Sequence, residues 1–266
     1  MKRRTAPLAV LAMLSLAAPA AWAQCTNASF QGLYSAQVIG SFITPPPGIP
    51  PGPTARVGRV QLDGNGGSSI TTTLSLNGTI LQEQYNGTYT ISSDCTASVI
   101  LQVPFPGAPQ PVPFTFSGVL SNNAMNMNLI LLSPAGTDVR IYLNKQRKTT
   151  CSNANLTGAY GLSMNGTIIS GFLVPPGFFA RVGKLTFDGN GNFTGSVQTS
   201  YAGLIQPETL AGTYSVNANC SFTTAFTVGS TASTWFGMLA DTMSGANVIQ
   251  SSPAGAVATG TLISVQ

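Results

Sequence analysis

Val57-Gly58-Arg59-Val60-Gln61-Leu62-Asp63-Gly64-Asn65-Gly66 is the stretch of the chain that decides the fold. The alternation of apolar and polar residues up to Leu62 is typical of a β-strand with one buried face. Asp63 to Gly66 then offers Asp-Gly and Asn-Gly steps, which are the strongest short signal for a hairpin turn. The stretch therefore predicts antiparallel β structure.

This stretch and its surroundings occur twice in the chain. Arg56-Val57-Gly58 returns as Arg181-Val182-Gly183, at an offset of 125 positions (181 − 56). Further motifs return in the same order: Cys25, Gly87-Thr88-Tyr89 with Cys95, and Ser133-Pro134-Ala135-Gly136 become Cys151, Gly212-Thr213-Tyr214 with Cys220, and Ser252-Pro253-Ala254-Gly255. Ordered matches of this kind indicate a tandem duplication.

The N-terminus predicts export. Lys2, Arg3 and Arg4 precede a short apolar run, and Ala21-Trp22-Ala23 fits a signal-peptidase site. The run is too short to span a membrane, so we expect no membrane span after cleavage. We expect a protein that is exported to the periplasm or the extracellular space. The chain then divides into a signal peptide (1–23), a first β-barrel repeat (24–143), a basic linker (144–150) and a second repeat (151–266).

Each repeat is a series of short strands separated by turn signals. In the first repeat the predicted strands are Leu33–Ile39, Arg56–Leu62, Ser69–Leu76, Thr88–Ser92, Ala97–Val103, Pro113–Leu120, Met125–Leu131 and Val139–Leu143. Eight neighbouring strands predict an all-β chain of two small antiparallel meander barrels, lipocalin-like or avidin-like in architecture, with a β-sandwich as the alternative. Long connections at 41–55 and 104–112 would lie at one end of the barrel.

The four cysteines predict one disulfide in each repeat. Cys25 and Cys95 would both lie at the end with tight turns, and Cys151 and Cys220 repeat their spacing. Export makes disulfides chemically reasonable.

Composition argues against several classes of function. Without Lys2, Arg3 and Arg4, 8 basic residues (11 − 3) face 7 acidic ones, which leaves too little positive charge for nucleic acid. The chain has no histidine, the commonest general base and metal ligand. The turn aspartates Asp63 and Asp188 are the acids we expect to recur, so a catalytic pair of carboxylates has no support. We expect no enzyme, no cofactor and no metal.

Several recurring polar residues have structural interpretations. Asp188-Gly189-Asn190-Gly191-Asn192 begins like a calcium loop, but Phe193 and Thr199 stand where glycine and glutamate are required, which favours a hairpin turn. Arg56 and Arg181 are expected in structural ion pairs or on a solvated rim. The recurring tyrosines are expected in the core with each phenol reaching a partner at the rim, and these are Tyr34, Tyr89, Tyr160 and Tyr214.

The repeats also resemble a known group of proteins. Gly158-x-Tyr160, then Asp188 to Gly191, then the Gly-Thr-Tyr-x-Val-x-x-x-Cys motif of Gly212 to Cys220 is similar to a group of secreted bacterial proteins. The resemblance covers both repeats and implies a small exported β domain and a bacterial source. It implies no activity and no site.

Two functional hypotheses remain. The first is a binding module that takes a small apolar or extended ligand, or a surface partner, at the long-loop end of the second repeat. Its predicted contact residues are Phe172, Phe178, Phe179 and Trp235, a cluster of bulky apolar side chains at one rim. The second is a structural or adhesive protein of the cell surface or periplasm. An apolar cavity would favour the first hypothesis and a filled barrel the second.

Overall fold

A computed structural model describes residues 24–105, 108–121, 123–170, 174–240 and 245–265. Within these ranges the chain forms two closed antiparallel β-barrels of eight strands each. Every strand pairs with its neighbour in sequence, and the first strand of each barrel also pairs with the last. Closure leaves no free edge. The predicted all-β fold and tandem barrels are confirmed, and closure excludes the sandwich.

The strands of the two barrels match one for one in order and nearly in length. The first barrel comprises β1 (Gln31–Phe42), β2 (Gly52–Asp63), β3 (Gly67–Leu76), β4 (Thr79–Ile91), β5 (Thr96–Val103), β6 (Val112–Ser121), β7 (Asn126–Ser133) and β8 (Thr137–Gln146). The second comprises β9 (Thr157–Ile168), β10 (Gly177–Asp188), β11 (Asn192–Tyr201), β12 (Leu204–Val216), β13 (Ser221–Val228), β14 (Thr231–Ala240), β15 (Gly245–Ser252) and β16 (Ala256–Ser264).

The strands are longer than the sequence predicts. β4 begins at Thr79 rather than at Thr88, because a two-residue turn at Asn77 and Gly78 joins it directly to β3. β8 continues to Gln146, so the first three residues of the predicted basic linker belong to a strand. The predicted signal peptide lies outside the described residues.

The turn and disulfide predictions are confirmed. Asp63 Oδ1 accepts backbone hydrogen bonds from Asn65, Gly66 and Gly67 at 2.7 to 3.0 Å, and Asp188 binds the equivalent turn in the second barrel. Disulfides join Cys25 to Cys95 and Cys151 to Cys220, over 70 and 69 residues. Each bridge ties the segment before the first strand of a barrel to the turn before its fifth.

The barrels pack side by side along their walls, at a contact that we call the seam. The outer face of β1 to β3 meets the outer face of β14 to β16, and Ala55 and Val57 pack against Met238, Ile249 and Val257. Val57 points out of the first barrel, as the alternation of β2 requires, and is fully buried because it lies in this contact.

Polar groups complete the seam. Ser35 Oγ donates to the carbonyl oxygen of Met238 at 3.1 Å and accepts from the Asn247 amide at 2.8 Å. Ser75 Oγ donates to the carbonyl oxygen of Ala256 at 2.9 Å. These buried polar groups are hydrogen-bonded, as a tightly packed interface requires. Within the described ranges, no helix is long and apolar enough to cross a membrane.

Candidate functional site

The second barrel contains a cavity of about 480 Å³. It opens at the end that carries the connections β9–β10, β11–β12, β13–β14 and β15–β16. Its apolar wall comes from Ile168, Val174, Phe179, Val228, Ala256 and Ala258, and its polar wall from Arg181, Tyr201, Gln206, Glu208, Thr209, Ser230, Thr231, Ser233 and Gln250.

A buried ion pair forms one side of this cavity. Arg181 Nη2 lies 2.7 Å from Glu208 Oε2, and both side chains are nearly inaccessible to solvent. Arg181 also donates from Nε to Thr199 Oγ1 at 2.9 Å and from Nη2 to Tyr201 OH at 3.0 Å. Thr199 and Tyr201 donate in turn to the two carboxylate oxygens of Glu208, at 2.6 and 2.7 Å. Each member thus fixes the orientation of the others.

The protonation state of the tyrosine suits this network. Burial raises the pKa of Tyr201 to about 12, so the phenol keeps its proton at neutral pH and donates it to Glu208. The Phe179 ring lies 5.3 Å from Arg181 Cζ, which adds a cation–π contact. Among the described residues, none accepts a hydrogen bond from Arg181 Nη1. The Arg181 guanidinium lines the cavity, so it can donate a hydrogen bond to a bound molecule.

The first barrel holds the same ion pair in a filled interior. Arg56 and Glu83 occupy the fifth positions of β2 and β4, as Arg181 and Glu208 do in β10 and β12, and Arg56 Nε lies 2.8 Å from Glu83 Oε2. Phe105 covers Arg56, with its ring centre 5.7 Å from Arg56 Cζ. The space left beside Arg56 is about 20 Å³.

Side-chain size explains why one barrel is open and the other filled. Phe42, Phe105 and Phe114 pack together in the first barrel, with ring centres 5.6 to 6.2 Å apart. Ile168 and Ser233 stand at the positions of Phe42 and Phe114. Ala258 likewise replaces Val139 in the last strand.

The connection that carries Phe105 in the first barrel is much shorter in the second. Residues 104–111 join β5 to β6, whereas only 229–230 join β13 to β14. Among the described residues of the second barrel, none takes the place of Phe105. The space that three aromatic rings fill in the first barrel is the cavity of the second.

The predicted contact residues separate in the structure. Phe179 faces inward and lines the cavity, whereas Phe178 points outward and is 84% exposed. The two were predicted in one cluster, which was wrong because adjacent residues of a strand point to opposite faces. Phe172 lies outside the described residues.

Trp235 was predicted at the rim, and this was also wrong. Its side chain is fully buried below the cavity, where the indole nitrogen donates to Gln250 Oε1 at 2.9 Å and the ring packs against Phe226. The inward face of β14 places it there. This hydrogen bond orients Gln250, whose side chain lines the wall of the cavity.

Sequence reasoning missed the recurring glutamate. The expectation that only the turn aspartates recur was wrong, because Glu83 and Glu208 are equivalent at the same offset of 125 (208 − 83). The shared offset of 125, which also relates Arg56 to Arg181, was the signal in the sequence that could have identified this pair. Arg56 and Arg181 were predicted in structural ion pairs or on a solvated rim. They lie in buried ion pairs, so the first of these predictions is confirmed.

The recurring tyrosines lie in the core. Tyr34 OH donates to the Ala124 carbonyl at 2.9 Å, Tyr89 OH to the Phe30 carbonyl at 2.9 Å, and Tyr214 OH to the Leu156 carbonyl at 2.7 Å. Tyr160 is likewise buried, against Phe187. Their predicted structural role is confirmed. Within the described ranges, no three acidic or cysteine side chains are grouped so that they could hold a metal ion.

Comparisons with known proteins give little further information. No family model and no curated protein matches the chain. Among solved structures, it is similar to a protein of unknown function from the DUF3598 family of Nostoc punctiforme. The identity is 12% over 91% of this chain and 100% of that chain, and the TM-score is 0.26. A likeness this distant carries no information about fold or function.

Proposed function

We propose that this is an exported binding protein, not an enzyme, and that its second barrel holds a small uncharged molecule. The observation that carries the proposal is the contrast between two copies of one fold. The cavity beside Arg181 measures about 480 Å³, whereas the equivalent space beside Arg56 measures about 20 Å³. Small-molecule sites commonly measure about 300–1,000 Å³, so the cavity is of suitable size.

The walls of the cavity indicate the chemistry of the ligand. Ile168, Phe179 and Val228 offer apolar contact to its body. The Arg181 guanidinium can donate to a carbonyl, ether or hydroxyl oxygen.

The charge of the wall indicates that the ligand is neutral. Arg181 is already paired with Glu208, so a carboxylate or sulfonate on the ligand would face that glutamate across a poorly hydrated space. A cationic ligand would likewise be repelled by the positive charge of the Arg181 guanidinium in the same poorly hydrated space. A neutral molecule with an apolar body and an oxygen acceptor fits both walls.

The same network supports a binding role over a catalytic one. Both oxygens of Glu208 accept hydrogen bonds from Arg181, Thr199 and Tyr201, so this carboxylate is occupied by the protein itself. The two disulfides suit an oxidising environment. Together with the predicted signal peptide they support export to the periplasm or beyond.

Two dyes of one skeleton test the proposal. N-phenyl-1-naphthylamine is neutral, and 1-anilinonaphthalene-8-sulfonate adds a negative charge. We expect the neutral dye to bind with increased fluorescence and the anionic dye to bind at least tenfold more weakly. Ser233→Phe places a ring where Phe114 stands in the first barrel and should abolish binding, while Ser233→Ala should preserve it. Equal binding by Ser233→Phe would show that the dye is held elsewhere and would overturn the site.

Native mass spectrometry of the protein from its own source complements the dyes. A small molecule retained by the wild type and absent from Ser233→Phe would identify the natural ligand. A structural or adhesive role is the second candidate, and the filled interior of the first barrel favours it for that half of the molecule. Failure of every probe to enter the second barrel would favour it for the whole.

A further inference from the structure

The seam joins two faces that are different parts of the same fold. The first barrel contributes the outer face of its first three strands, and the second contributes the outer face of its last three. Each barrel therefore has one face in the seam. It also has the strands that the other barrel uses there, but in its own structure those strands face away from the seam. Most of the β9–β11 face of the second barrel and of the β6–β8 face of the first lies outside the seam, which β8 reaches only at its end, where Gln146 donates to the Leu239 carbonyl.

The β9–β11 face keeps several of the residues that its counterpart uses in the seam, although Gly161 replaces Ser35. Ala180 and Val182 occupy the positions of Ala55 and Val57 in the equivalent strand. Val57 is fully buried in the seam, whereas Val182 is 60% exposed. Ser200 likewise repeats Ser75, the hydroxyl that donates across the seam.

The β6–β8 face shows the same retention. Asn128 and Ile130 repeat Asn247 and Ile249, which are buried in the seam. Val119 replaces Met238 with another apolar side chain. Here Ile130 is 52% and Val119 49% exposed. Isolated exposed apolar residues are ordinary, but these stand at the positions of seam contacts on both faces.

We propose that these two faces bind each other between copies of this chain. The β9–β11 face of one copy would meet the β6–β8 face of the next in the geometry of the seam. The contact is heterologous, so each copy keeps one face free and association continues in an open row of barrels.

The contact between copies is weaker than the seam. Asp138 and Arg140 replace Val257 and Thr259, which removes apolar contact and adds charges that must lose water. The barrels of one chain also benefit from covalent linkage, which keeps their effective concentration near the millimolar range. Separate copies must reach such concentrations by crowding, so the expected behaviour is a reversible increase of mass with concentration.

Sedimentation of the purified mature protein from about 10 µM to about 1 mM measures that increase, a span that reaches the effective concentration of linked barrels. We expect the average mass to rise past that of a dimer. Val182→Lys blocks one face and Ile130→Lys the other, and each variant alone should stay monomeric. An equimolar mixture of the two should form dimers and nothing larger, because one intact face remains on each partner.

The mixture distinguishes this arrangement from its rivals and shows that both variants are folded. Ile100→Lys, on the outer face of β5 beside the β6–β8 face but outside it, is the matched control and should associate like the wild type. A wild-type mass that stays monomeric throughout overturns the proposal. So does a mixture without dimers, or association lost in only one of the two variants, which would indicate a symmetric contact.

Discussion

Ser233 occupies in β14 the position that Phe114 occupies in β6, and both side chains point into their barrels. Each is the third residue of its strand, opposite Phe226 in β13 and Leu101 in β5. One position therefore contains an aromatic ring where the barrel is filled and a hydroxyl where it is open.

Phe114→Ala should destabilise the first barrel by about 3–5 kcal/mol, because the lost ring leaves a cavity between Phe42 and Phe105. Ser233→Ala should change the free energy of unfolding by less than about 1 kcal/mol, since it leaves the second cavity as it is. Urea unfolding of both variants measures the difference. Equal losses would mean that the aromatic packing does not stabilise the first barrel.

Removing the glutamate should cost more in the filled barrel than in the open one. Glu83→Gln leaves the Arg56 charge unpaired beneath Phe105, and such a change typically costs about 3–5 kcal/mol. Glu208→Gln should cost clearly less, because Arg181 faces the cavity and keeps Thr199 and Tyr201 as partners. Chemical denaturation of the two variants compares the losses. The reverse order would contradict the account of the two interiors.

Each disulfide should stabilise its own barrel by about 4 kcal/mol on the chain-entropy model, since each closes a loop of 70 or 69 residues. Replacing Cys25 and Cys95 together by serine should lower the stability of the first barrel and leave the second barrel's unfolding midpoint in place. Peptide mapping without reduction checks the pairing directly. A peptide joining Cys25 to Cys151 would contradict it.

The turn at Asp188 should make stability depend on acid. Hydrogen bonds from the Asn192 side chain, and from the backbone of Asn192 and Asn190, lower the pKa of Asp188 to about 2. The pKa of an unfolded aspartate is about 3.9, so the carboxylate stabilises the fold fully above that pH, and this contribution is lost as pH falls through about 2.

Thermal unfolding midpoints between pH 5 and pH 2 test this dependence. Asp188→Asn should lose less stability than the wild type over that range, because its side chain does not titrate. Asp138→Asn removes an exposed aspartate outside any turn and should behave like the wild type. If both variants keep the full acid sensitivity, the turn carboxylate is not its source.

Duplication made much of this fold predictable. Motifs that return in the same order, at offsets of 126, 125 and 119 (151 − 25, 220 − 95 and 252 − 133), indicated the strands, the turns and both disulfides. The recurrence of Glu83 as Glu208 was not recognised because the neighbouring residues differ. They are Gln82 and Gln84 in one copy and Pro207 and Thr209 in the other. Their strand was also predicted to begin at Thr88, so neither glutamate was placed on a strand.

The interior of the second barrel could not be predicted for a different reason. Apolar character placed Trp235 and Phe178 at a rim, but the direction of a side chain depends on strand register, which composition does not determine. Beyond the fifth strand the offset between copies also falls from 125 to 119 (233 − 114), so the correspondence of Ser233 with Phe114 is hidden until the strands are seen.

That fall of six positions lies entirely in one connection, between residues 104–111 in the first barrel and 229–230 in the second. An insertion or deletion there, together with the exchange of Phe114 for Ser233, separates a barrel that is filled by its own side chains from one that contains a cavity. In the first barrel, the side chain of Phe105 occupies the space that a bound molecule would otherwise take, and it is covalently part of the protein. One chain therefore contains both forms of the same barrel, one filled by its own aromatic rings and one open.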